Sequence, residues 1–112
     1  MKIKSKKLIK NKNFLELCSI NGKNESVICN ANKIERKCIY EILLNILNGN
    51  VHLTEDKINE FKKFKNIVRM LANKRVCDKK KVKVINQKGK GAFLPILLSV
   101  LPAVIHQIIS KL

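Results

Sequence analysis

The chain has no tryptophan, one tyrosine and four phenylalanines among 112 residues. That scarcity excludes an aromatic platform on which successive unpaired bases would stack. Acids are equally scarce: eight against 24 basic residues, a formal net charge of +16. Arginine is nearly absent too, since only Arg36, Arg69 and Arg75 are not lysine. Lysine is a flexible point charge without the forked donors that read guanine, so the basic surface can grip phosphates but carries little base recognition. The four glycines are scattered and form no phosphate-cradling loop. Two histidines, His52 and His106, make no Ser-His-Asp or Cys-His arrangement. The cysteines, Cys18, Cys29, Cys38 and Cys77, lie 11, 9 and 39 residues apart, without the close pairs of a zinc site. The chain reads as a binding or structural protein rather than an enzyme, with no cofactor and no metal.

What is present is lysine in blocks. The first 13 residues hold six lysines and no acid, and from Phe61 to Leu112 thirteen basic residues face a single acid, Asp78. Such segregation points to a polyanionic partner, nucleic acid or an anionic membrane surface. An apolar content of 46% is too high for a wholly disordered basic tail. The charged N-terminus offers no apolar signal core, and the cysteines are expected as reduced thiols in the cytosol or nucleus, the alternative being two disulfides in one of three pairings. Cys38 sits on an apolar helical stripe, where it acts as a small hydrophobe.

The pattern predicts an all-α fold: a small domain of three or four helices over residues 14–75, a basic arm over 1–13, a Lys-rich linker over 76–90 and an apolar segment over 91–112. Phe14 to Ile20 and Ser26 to Asn30 are short apolar pieces. Asn32 is placed to cap a helix running to about Asn48, with Ile34, Cys38, Ile42 and Ile46 four apart and Ile39, Leu43 and Leu47 beside them. Gly49 is the natural left-handed stop. Thr54 caps the next helix, with Glu55 and Asp56 in its first turn and Ile58, Phe61, Val68 and Leu71 on one face. Val82 to Ile85 is the one β-leaning stretch.

Lys62, Lys63, Lys65, Arg69, Lys74, Arg75, Lys79, Lys80, Lys81 and Lys83 are the candidate phosphate contacts. Through them the chain is expected to bind double-stranded DNA without sequence preference. From Ala92 to Ser110 there are 19 uncharged residues. Pro95, Ser99, Pro102, His106 and Ser110 trace a narrow polar or small stripe along a helix. Phe93, Leu94, Leu97, Leu98, Leu101 and Ile105 belong to its broad apolar face, and Pro102 should kink it. Phe93, Leu94, Pro95, Leu97, Leu98, Leu101, Pro102 and Ile105 are accordingly the candidate membrane-contacting residues. Three expectations compete for this segment: a membrane-active amphipathic helix, packing within the domain or an oligomer, and a transmembrane anchor.

Gln87-Lys88-Gly89-Lys90-Gly91-Ala92-Phe93-Leu94-Pro95 resembles a junction in the small basic adenoviral core protein X, the precursor of the mu peptide. From about Ile39 onward the arrangement is also similar to small basic proteins of Maverick/Polinton elements and adintoviruses. The matching residues are Leu47-Asn48-Gly49-Asn50, the helix from Thr54, Lys79 to Lys83, and Gln87 to Pro95. Gly89-Lys90-Gly91 replaces the usual Gly-Gly. It fits the second pattern accepted by adenoviral proteases, with glycine before and after the cut. The resemblance thus implies a viral-type cysteine protease as partner and a cleavage site at Lys90 and Gly91, freeing residues 91–112. It implies a virion core-type protein, located in the virion or the host nucleus, with a membrane-associated C-terminal segment. Two departures stand: the adenoviral protein is Arg-rich, and the mu precursor lacks the helical domain. The competing expectations are a lytic or anchored membrane protein with no DNA role, and a helical adaptor for a protein partner.

Overall fold

A computed structural model describes residues 8, 10–20, 24–87 and 92–111. The fold is all-α, with no strand among the described residues. The helices are α1 (Lys12–Cys18), α2 (Asn24–Cys29), α3 (Lys33–Leu47), α4 (Glu55–Lys62), α5 (Lys65–Ala72), α6 (Asp78–Ile85) and α7 (Leu94–Lys111).

Local chemistry sets the ends of α3 and α4. The Asn32 side chain accepts from the Glu35 amide at 2.8 Å, and the Glu35 carboxylate accepts from the Asn32 amide at 2.9 Å. This reciprocal capping box satisfies two otherwise orphaned donors. Gly49, at φ 72°, turns the chain after α3 in a conformation that costs other residues a steric clash. Asn45 anchors that turn, accepting from the Asn50 side chain at 2.9 Å. Thr54 accepts from the Lys57 amide and opens α4. The single helix expected after Thr54, with Ile58, Phe61, Val68 and Leu71 on one face, is two helices: the chain breaks at Lys63–Phe64, and α5 packs against α3. Ile34 and Ile58, expected on the buried faces, are exposed at 62% and 41%.

Two larger corrections concern the C-terminal third. Val82–Ile85 is not extended: Asp78–Ile85 forms α6, packed on α5, and Ile85 is buried. Intrinsic β-preference of valine is a weak prior that a packed helical turn overrides. Nor does the apolar segment stand apart from the domain. Phe93, Leu94, Leu97, Val100, Leu101, Val104, Ile105 and Ile108 are all buried within the same cluster as Leu15, Ile39, Leu43 and Leu71. Helix α7 packs on α1, α2 and α4. The ring of Phe93 meets Phe61 edge-on at 5.8 Å and Phe64 at 5.5 Å. The elements that cover α7 include the N-terminal piece around Leu8, Phe14, Leu15 and Cys18, all buried. Together with α4, they supply the surface that the central helices alone lack.

A proline inside α7 needs a second device. Pro102 has no N–H, so the carbonyl four residues earlier, on Leu98, loses its helical partner. The side chain of Asn24, 4% exposed, donates to that carbonyl at 3.0 Å. A buried polar side chain is thereby matched to a half-buried orphan acceptor, and α2 is fastened to α7. Farther along, the Gln107 amide pairs with both backbone groups of His52, accepting from its N–H at 2.6 Å and donating to its carbonyl. That pairing holds the α3–α4 loop against α7.

Candidate functional site

The candidate phosphate contacts fall on three consecutive helices and one turn. Lys62 ends α4 and Lys63 follows it. Lys65 and Arg69 lie on α5, Lys74 and Arg75 on the turn after it, and Lys79, Lys80, Lys81 and Lys83 on α6. Nine of these ten side chains are exposed, and among the described residues only Lys74 of this set is ion-paired, with Glu41 at 3.6 Å. The tenth, Lys81, is not a surface contact. It is 5% exposed, and its ammonium lies 4.4 Å from the centre of the Tyr40 ring. Burial lowers its pKa, with the Asp78 and Cys77 charges opposing that shift.

Asp78, the last acid of the chain, positions α6. The Arg36 guanidinium donates from Nε at 3.1 Å and from Nη2 at 2.6 Å to its two carboxylate oxygens. Tyr40 donates its hydroxyl to the same carboxylate at 2.8 Å, and Arg36 also donates to the Ala31 carbonyl at 2.6 Å. This bidentate fork joins positions 42 residues apart. The Arg36 hydrogen bonds hold the Asp78 carboxyl below its ordinary range, against the opposing effect of burial. Burial, then the bond to Asp78, pushes the Tyr40 hydroxyl up.

The same fold brings together residues that no local pattern connects. Lys33 and Lys37 on α3, Lys74 on the turn and Lys81 on α6 line one cleft of about 440 Å³ with Tyr40, Glu41 and Asp78. Lys33 and Lys37 are not among the residues that the sequence nominates. Its signal for them is weak: both lie on the α3 face away from Ile39 and Leu43.

The membrane-contacting expectation is corrected in placement. Phe93, Leu94, Leu97, Leu101 and Ile105 are core side chains, Leu98 and Pro102 are half-buried, and Pro95 is exposed. The polar stripe itself is real: Pro95, Ser99, His106 and Ser110 face solvent. Among the described residues no helix is long and apolar enough to cross a membrane. The 18 residues of α7 rise about 27 Å, short of a hydrocarbon core of about 30 Å. The cleavage position, Lys90 and Gly91, lies outside the described residues.

Cys18 and Cys38 are buried, and Cys29 and Cys77 are exposed. Burial, followed by the nearby Glu35 and Cys38 charges, pushes the Cys18 thiol up to about 12, so it is an inert packing group. Among the described residues, no cluster of three or more His, Cys, Asp or Glu could hold a metal ion. No family model, curated protein or solved structure matches this chain.

Proposed function

We propose that the protein binds nucleic-acid backbones, duplex DNA first, without sequence preference. The observation that carries this reading is the state of the basic residues between Lys62 and Lys83: nine exposed cations, one ion pair among them, and no acid but Asp78, which Arg36 already occupies. Unpaired surface lysines displace counterions when they meet phosphates, and that release drives sequence-independent binding. The N-terminal lysine block adds to the same charge.

The resemblance to core protein X supports a packaging role in a virion or nucleus. It also supports a protease cut after Lys90, but the buried position of α7 changes what such a cut does. Helix α7 remains seated in the core after the backbone is broken, so cleavage yields a nicked complex rather than a free peptide. Membrane activity of that segment then requires unfolding or an added release step.

The test is a salt titration of duplex binding. Changing Lys79, Lys80 and Lys83 to Gln weakens binding equally on unrelated sequences. It also flattens the slope of log K against log salt by about 0.9 for each phosphate no longer neutralised. An unchanged slope, or a preference for one duplex that survives high salt, refutes the reading.

A further inference from the structure

We propose that the cleft between α3 and the α5–α6 turn is a discrete binding site for a phosphate group, separate from the diffuse lysine surface. Four ammonium groups line it, from Lys33, Lys37, Lys74 and Lys81, against two carboxylates. Both carboxylates are engaged: Asp78 by the Arg36 fork and the Tyr40 hydroxyl, Glu41 by Lys74. Positive charge is therefore left over inside a concave site, which a flat surface run does not produce.

Lys81 is the innermost of these groups. Only 5% of it is exposed, yet among the described residues it donates no hydrogen bond and has no carboxylate at ion-pair distance. One side of its ammonium rests on the Tyr40 ring. The stem of Lys81 is buried, but its Nζ is not among the fully enclosed polar atoms, so its donors open into the cleft, where a ring face offers no lone pair. The start of α6 opens at the same cleft through Cys77 and Asp78, and no side chain caps it. Uncapped helix amides and an ammonium that opens into the cleft from a buried stem converge on one ligand chemistry, a phosphate oxygen. Lys33, Lys37 and Lys74 then close around the remaining oxygens. At about 440 Å³ the cleft has room for an organic body attached to the phosphate.

The protein carries its own reporter. Tyr40 is the only tyrosine in a chain without tryptophan, and it lies in the cleft under Lys81. The experiment titrates full-length protein with inorganic phosphate at constant ionic strength, reading tyrosine fluorescence, with chloride as the balancing ion. A saturable change is expected with phosphate and none with chloride alone. Lys81→Met keeps the aliphatic packing on Tyr40 and removes the charge. It should weaken binding by about tenfold or more, the scale of one charge-assisted hydrogen bond. The paired exposed change K33Q/K37Q cannot empty the core, and it should weaken binding by a smaller factor. A second arm replaces inorganic phosphate with duplex DNA. A Tyr40 response lost in K81M shows that a backbone phosphate enters the cleft, and its absence alongside a phosphate response assigns the cleft to free phosphate esters. The proposal is overturned by an unsaturable signal, by equal responses to chloride, or by phosphate affinity unchanged in both variants.

Discussion

Helices α6 and α7 follow one another in the chain and are opposites. α6 has eight residues, four of them lysine, with one carboxylate at its head. α7 has 18 residues, and seven of the eight buried apolar side chains from Phe93 to Ile108 lie on it. Composition alone marks the first as a solvated tether and the second as a free amphipathic tail. The fold treats both as parts of one globule, by different means. α7 is held by area, since each fully buried Leu, Ile, Val or Phe contributes about 1.5–3 kcal/mol. α6 buries little beyond Ile85 and Lys81 and is held by a specific polar bond, Asp78 to Arg36 and Tyr40. Area tolerates small errors, whereas a single fork fails when one partner is removed.

The harshest way to break this contrast is to end the chain at Lys90. Eight buried side chains leave with the removed segment, and even the lower figure per side chain sums to the ~5–15 kcal/mol that stabilises a whole domain. The truncated chain is expected to lose its cooperative thermal transition and much of its far-UV helical signal. This reverses the sequence-based expectation of a self-contained domain over residues 14–75. A folded, cooperative 1–90 would place α7 outside the essential core and return it to the membrane reading.

What local pattern can disclose, it discloses well. The Asn32 cap, the Thr54 cap and the left-handed Gly49 all stand where the short-range chemistry demands them. The solvent stripe of α7 is legible because helical periodicity is a property of one segment. What covers the opposite face is not, since α1, α2 and α4 reach it from distant parts of the chain. The phosphate-cleft residues are hidden for the same reason: Lys33 and Lys81 are 48 residues apart and share a wall only in the folded chain, where Arg36 bonds Asp78. Lys81 also reads as one more surface lysine, because nothing in a run of four cations says which one turns inward.

Asp78→Asn sharpens the α6 side of the comparison. It leaves Arg36 without its carboxylate and Tyr40 without its anionic acceptor, an expected loss of about 1.5–3 kcal/mol in a denaturant titration. The sign with pH follows from the lowered Asp78 pKa. The folded chain releases this proton more readily than the unfolded chain. Its stabilisation is therefore complete above the unfolded value of about 3.9 and is lost as pH falls through the lower folded value. Wild type should lose stability over that acid range more steeply than D78N, and parallel acid curves would show that the fork contributes nothing.

The smallest expected effect tests whether α7 is held by area alone. Asn24→Ala leaves the half-buried Leu98 carbonyl without its donor, a cost of about 1 kcal/mol. Pro102→Ala restores the missing N–H within α7 and removes a residue that disfavours helix interiors by about 3 kcal/mol, so alone it should leave stability unchanged or raise it. If Asn24 exists to match the proline, the destabilisation caused by N24A must shrink when residue 102 can donate to Leu98 itself. Denaturant midpoints of the four proteins in this cycle should give a coupling of about 1 kcal/mol, within the range found for residues sharing one network. Additive effects would mean that Asn24 serves packing only. A coupling would show that a single hydrogen bond lets an apolar helix carry a proline through the core.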